Sequence, residues 1–160
     1  MELVAIVISL ALLQYSVFGM LVGKARGTYE IKAPAISGHP IFERYYRVHM
    51  NTLEQLTVFI PAILIFGYFG NAAIAAGLGL VFLVGRVMFL IGYVKDPAKR
   101  GPGFLIGYIP TVVLLLVDSF MLCSTHFNRK RTQPGHQLPL LLRLRYSLFV
   151  LIIFQAMSSK

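Results

Sequence analysis

Four apolar runs, each about long enough to cross a bilayer, constrain this chain more than any other feature. They cover about Glu2–Gly23, Tyr46–Phe69, Asn71–Tyr93 and Gly103–Ser124. A helix needs about 20 residues to span the roughly 30 Å hydrocarbon layer. The chain is 57% hydrophobic and 13% charged, whereas soluble domains carry about 25% charge. The expectation is an all-α, multi-pass membrane bundle. The first run lacks a basic leader and a small-residue cleavage site, so it reads as a spanning helix rather than a removable signal.

The connections support a bundle. Gly70-Asn71 leaves so little chain between the second and third runs that they must form an antiparallel hairpin. The third run is rich in Gly and Ala, which lets membrane helices approach closely. Residues 24–45 make the one substantial loop, broken by Pro34, Gly38 and Pro40, and residues 95–102 make a shorter one. Both are basic, with Lys24, Arg26, Lys32, Arg44 and Arg47 around the first and Lys95, Lys99 and Arg100 in the second. The positive-inside rule puts them on the cytoplasmic face. The net charge of +9 therefore reads as topology, not as a nucleic-acid footprint, since no basic stripe stands on a soluble module.

Residues 1–124 are expected to form the four-helix domain, with 125–160 a basic tail. That tail holds Arg129-Lys130-Arg131 and an apolar segment, Tyr146–Met157, too short for a normal span. Such a segment lies in the interface or inserts partly. The single cysteine, Cys123, excludes a disulfide framework, and the four histidines show no metal-ligand spacing.

Chemistry concentrates where the second run begins. Arg47, Asn51 and Glu54 fall at i, i+4 and i+7 and share one stripe of a helix. Charged residues entering a bilayer mark a functional site or an internal pair. Glu54 lies roughly 12 Å along the second span and Arg86 roughly 10 Å along the third, measured from the same face at 1.5 Å per residue. A structural Glu54–Arg86 ion pair is one reading and a ligand-holding Glu54 the other. His49 points away from the stripe, toward a neighbouring subunit or a local hydrogen bond. Arg100 sits in a connecting loop beside the membrane. Asp118 lies deep in the fourth span with no evident partner.

Two strings carry a resemblance. Phe42-Glu43-Arg44 with Arg47 and Asn51-Thr52-Leu53-Glu54 resembles the second-helix signature of the MAPEG family (membrane-associated proteins in eicosanoid and glutathione metabolism). Gly77-Leu78-Gly79-Leu80, Val84-Gly85-Arg86, Gly92-Tyr93 and Lys99-Arg100 resemble that family's third helix and following loop. The likeness covers about residues 1–124 and is closest to the microsomal glutathione transferases and the cysteinyl-leukotriene synthase. It implies a homotrimer that binds glutathione between subunits near the cytoplasmic face, in an inner bacterial membrane or the endoplasmic reticulum.

The same resemblance implies that Arg47, Asn51, Glu54 and Tyr93 hold glutathione. Arg26 and His49 would approach it from the neighbouring subunit, and Arg100 would stabilise its thiolate. Gln55 and Phe89 stand where the leukotriene enzyme has tyrosines. The implied activity is conjugation of glutathione to hydrophobic electrophiles, with reduction of lipid hydroperoxides as a companion reaction and no metal. The rival is a non-catalytic lipid-binding or scaffold member of the family.

Overall fold

The computed structural model describes residues 1–132. Met1–Leu122 form one compact unit, and the architecture below is that of this unit. The expected tail falls almost wholly outside the described residues. In chain order come α1 (Glu2–Thr28), α2 (Pro40–Phe69), α3 (Ala72–Lys95), a 3-10 turn (Pro97–Arg100) and α4 (Gly101–Thr132). All four helices are long and apolar enough to cross a membrane, and no strand occurs among the described residues.

Local chemistry sets the helix ends. Asn71 caps α3, its Oδ1 accepting from the backbone N–H of Ala73 and Ile74 at 2.9 and 3.2 Å. An N-cap side chain of this kind satisfies donors that the first turn leaves open. His39 caps α2 through Nδ1, which accepts from Ile41 N at 3.2 Å, and Pro40 follows at the first helical position. Asp96 does the same for the 3-10 turn, accepting from Ala98 N at 3.0 Å. The α2–α3 link is thus one capped turn, which makes the expected antiparallel hairpin.

The main core cluster is a seam among α1, α2 and α3 joined by Leu114 of α4, with two smaller clusters around Phe18, Val48 and Phe89 and around Val22, Ala25 and Phe42. Val4, Val7 and Ala11 of α1 meet Leu56, Phe59, Ile63 and Phe66 of α2 and Ala75 and Phe82 of α3. Phe59 and Phe82 stack at 4.0 Å between ring centres. Midway through the bundle, Gln14 Nε2 donates to the carbonyl of Leu83 at 3.0 Å and clips α1 to α3. Away from the seam, Leu10, Leu13 and Met20 of α1, Ile91 of α3 and Leu116 of α4 are exposed. An apolar outer surface is what lipid requires.

Helix α4 reaches α3 through glycines. A Cβ at Gly85 would collide with the backbone of Gly107, and one at Gly103 with the backbone of Phe89. Backbones this close gain packing that any side chain would block. Asp118 lies on the buried face of α4, and neither carboxylate oxygen has a hydrogen-bond partner among the described residues.

The glycine contacts generate a test. Gly85→Ala should lower the thermal midpoint of the detergent-solubilised protein, at a cost of about 1–3 kcal/mol from overpacking. Gly77→Ala meets nothing within 4 Å and should leave the midpoint unchanged or slightly raised. Equal behaviour of the two variants would rule out glycine-dependent α3–α4 contact.

Candidate functional site

The site forms where the start of α2, the end of α3 and the 3-10 turn meet. Two clefts open there. The smaller, about 300 Å³, is lined by Arg47, Asn51, Phe89, Tyr93, Arg100 and Phe104. The larger, about 570 Å³, is lined by Ile36, Ser37, Pro40, Glu43, Arg44, Tyr46, Arg47 and Tyr93. Arg47 and Tyr93 belong to both, so the clefts adjoin.

The arginines at this end divide into engaged and free. Arg44 Nη1 donates to the carbonyls of Val94 and Lys95 at 3.0 and 3.3 Å, capping the negative end of α3. Arg26 Nη1 donates to the carbonyls of Ile31 and Ala35 at 3.3 and 2.8 Å, with its guanidinium carbon 4.8 Å from the Phe42 ring centre. That residue organises the loop into which its own helix leads. Glu43 Oε1 accepts from Gly38 N at 2.9 Å and holds the far side of the loop. By contrast, neither Arg47 nor Arg100 makes a hydrogen bond or ion pair among the described residues, and both are exposed to the small cleft.

Asn51 adds the complementary group. Its Nδ2 donates to Glu54 Oε2 at 3.2 Å, while its Oδ1 is buried without a partner among the described residues. A buried acceptor left open costs free energy unless a ligand donor fills it. The cleft thus offers two free guanidinium groups, an open amide oxygen and, through Asn51, a carboxylate one turn deeper. Phe89 and Phe104 wall it, 6.2 Å apart by ring centres, and Tyr93 lies 5.4 Å from Phe89.

Of the residues expected at the site, Arg47, Asn51, Tyr93 and Arg100 come together in one cleft. Glu54 borders it without lining it. Arg26 and His49 lie elsewhere in their own chain. The ring of His49 stacks on Tyr15 of α1 at 4.3 Å, and its Nε2 is the nearest neighbour a Cβ on Gly19 would meet. Phe89, expected as a gap where a tyrosine would stand, is a wall of the cleft.

Glu54 and Arg86 make no direct ion pair among the described residues, although the Glu54 carboxylate lies near enough for its charge to act on Arg86. Arg86, 1% exposed, donates from Nη2 to Thr52 Oγ1 at 2.7 Å, and its guanidinium carbon lies 4.5 Å from the Phe89 ring centre. The reason is helical phase. Thr52 and Glu54 are about 200° apart on the α2 wheel at 3.6 residues per turn, so the Thr52 face that packs on α3 excludes Glu54. Thr52 also donates to the Val48 carbonyl at 2.7 Å, which leaves its lone pairs for Arg86. Matching depth did not separate these two faces; the buried stripe Val48, Thr52, Leu56, Phe59 contains Thr52 as its one polar member and was the available signal.

The model of the MAPEG family matches residues 4–117. Human microsomal glutathione S-transferase 2 is 37% identical over 126 residues, covering 79% of this chain and 86% of that protein. An uncharacterised Synechocystis sp. protein is 39% identical over 112 residues, 70% of this chain and 82% of the other. Bovine leukotriene C4 synthase is 33% identical over 98 residues, 61% of this chain and 65% of that enzyme.

Thr52→Val should remove the only hydrogen-bond acceptor Arg86 has among the described residues and destabilise the protein by about 2–3 kcal/mol. Thr52→Ser keeps the hydroxyl and should stay near wild type. Thermal unfolding in detergent reads both; a Val variant as stable as wild type would remove Thr52 as the anchor.

Proposed function

The chain belongs to the MAPEG family, and on that premise we propose that it is a membrane glutathione transferase whose small cleft holds glutathione. Its similarity to microsomal glutathione S-transferase 2 and leukotriene C4 synthase supports glutathione-dependent chemistry in a multi-pass membrane protein. The observation that carries the reading further is the pair of free arginines beside the orphaned Asn51 oxygen.

Glutathione has two carboxylates, an ammonium, two amide N–H groups and a thiol. Arg47 suits a carboxylate through a bidentate, charge-assisted pair. Asn51 Oδ1 takes an amide N–H, Glu54 takes the ammonium, and the Tyr93 hydroxyl adds a neutral bond. Arg26 and His49 act toward the glutathione of an adjoining subunit in a homotrimer. The basic loops face the cytoplasm, so the tripeptide enters from there.

Arg100 supplies the activation. A free thiol has pKa near 8.5, which leaves only a few per cent thiolate at neutral pH. A fixed cation in a water-poor cleft favours the anion. Arg100 is permanently charged and so acts by its field, not by taking the proton. The thiolate sulfur then attacks an electrophilic carbon of a hydrophobic substrate that enters from the lipid side. Its attack on a peroxide oxygen, followed by a second glutathione, gives glutathione disulfide, alcohol and water. A scaffold that only binds lipid has no need for a free cation beside a thiol, and Arg100 argues against that role.

Purified protein should bind glutathione at millimolar concentration, show thiolate absorbance in the ultraviolet and conjugate a chloronitrobenzene. Arg100→Ala should cut kcat/KM by about 10²-fold, the cost typical of losing one group that stabilises an anion, and abolish the thiolate band. Arg100→Lys should recover part of both. Unchanged turnover in Arg100→Ala would remove Arg100 from the chemistry, and absence of glutathione binding would remove the enzyme reading.

A further inference from the structure

Arg100 is exposed and makes no hydrogen bond or ion pair among the described residues, yet it lines the small cleft. A long side chain of that kind takes its place from the backbone that carries it. Here the backbone is a four-residue 3-10 turn, Pro97–Arg100. Before the turn, Asp96 N donates to the Gly92 carbonyl at 2.9 Å, and Asp96 Oδ1 accepts from Ala98 N at 3.0 Å. Within it, Lys99 N donates to the Asp96 carbonyl at 2.9 Å. The Lys99 carbonyl lies over Gly92 of α3, so that a Cβ on Gly92 would stand 2.9 Å from its oxygen. After the turn, a Cβ on Gly103 would collide with the backbone of Phe89. Arg100 is thus bracketed, one residue before and three after, by contacts with α3 that leave no room for a side chain.

We infer that Gly92 is a positioning residue for Arg100: its bare Cα seats the Lys99 carbonyl and thereby sets the next side chain at the small cleft. The inference rests on the glutathione reading and names what fixes the cation that reading uses. Gly92 lies inside α3 without a positive φ, so the backbone there does not call for glycine; the contact does. Alanine is the better helix former, and α3 itself would keep its course with alanine at this place. The Lys99 oxygen is a backbone atom and cannot turn aside as a flexible side chain would. The turn must lift, and Arg100 moves with it. Its hold on a thiolate falls with separation, as any charge interaction does, and a misplacement of about 1 Å can cost about 10²-fold in rate. Arg47 and Asn51 stand on α2 and Tyr93 on the helical part of α3, so the grip on the tripeptide stays. Asp96 holds the same turn from its other end.

The test uses the full chain in detergent and compares Gly92→Ala with Gly77→Ala, the same exchange on the same helix where nothing stands within 4 Å. Gly92→Ala should lower kcat for a chloronitrobenzene by about tenfold or more and weaken the thiolate band. Its affinity for S-methylglutathione, which has no thiol to ionise, should stay near that of wild type. Gly77→Ala should match wild type in all three measurements. Asp96→Ala should act in the direction of Gly92→Ala, and Asp96→Asn, which keeps a capping oxygen, should recover kcat and the band; this pair decides the matter if Gly92→Ala does not fold. Wild-type kcat in Gly92→Ala, or S-methylglutathione affinity lost in step with kcat, overturns the positioning role. A nitroxide on Lys99→Cys, with Cys123→Ser removing the chain's one native cysteine, reads the seat without glutathione. Its spectrum should sharpen on adding Gly92→Ala, and unchanged mobility overturns the seat. A wild-type chain that binds neither glutathione nor S-methylglutathione overturns the glutathione reading instead, and the nitroxide still decides the seat.

Discussion

A guanidinium buried among four apolar helices is the constraint on which the rest depends. Arg86 has one side-chain hydrogen bond, to Thr52 on α2, and one aromatic face, Phe89 on its own helix. A buried charge costs several kcal/mol unless it is hydrogen-bonded, so α2 and α3 have one compatible register. The same register brings Arg47 and Asn51 of α2 opposite Tyr93 and the 3-10 turn that carries Arg100. Phe89 joins the two levels: its ring sits by Arg86 and also walls the small cleft. The anchor below and the site above are therefore one packing arrangement.

The loop end is held by charges of a second kind. Arg44 and Arg26 donate to backbone carbonyls, and Glu43 accepts from a backbone N–H. Each closes a group that a helix end or a loop would otherwise leave to water. These bonds fix the ends of α2 and α3 and the course of residues 29–39. Free arginines beside engaged ones then carry information. Charge count alone makes the region look uniformly basic, but bonding separates the residues that build the wall from those facing the opening.

Much of the fold was legible because its determinants are local. Run length gave the four helices, and Gly70-Asn71 gave the hairpin. The glycines of α3 announced close approach, although Gly103 and Gly107 on α4 were needed to say against what. The site was legible in part. Arg47 and Asn51 share a stripe by periodicity, yet their meeting with Tyr93 and Arg100 depends on how α2 lies against α3. Depth placed Glu54 near Arg86, and phase gave the direct hydrogen bond to Thr52 instead. Arg26 illustrates a different limit: a basic residue at a helix end reads the same whether it faces a ligand or the carbonyls of the next loop. Only backbone geometry five and nine residues later decides.

That ambiguity bears on how the proposed site would work in the proposed homotrimer. Arg26 and His49 are engaged within one chain, His49 by stacking on Tyr15 and Arg26 by two carbonyls. Neither engagement closes the group completely. A guanidinium bonded through Nη1 keeps donors on its other nitrogens, and a stacked imidazole keeps both ring nitrogens at its edge. Each can therefore hold its own chain's structure and present the remaining polar edge to a ligand on an adjoining subunit. In the proposed homotrimer such a residue would tie the shape of one subunit to occupancy of the next, since moving it to improve a ligand contact would loosen the loop or the α1–α2 contact it supports. Precision at such a proposed shared site would come from residues whose positions are already fixed by bonds at home.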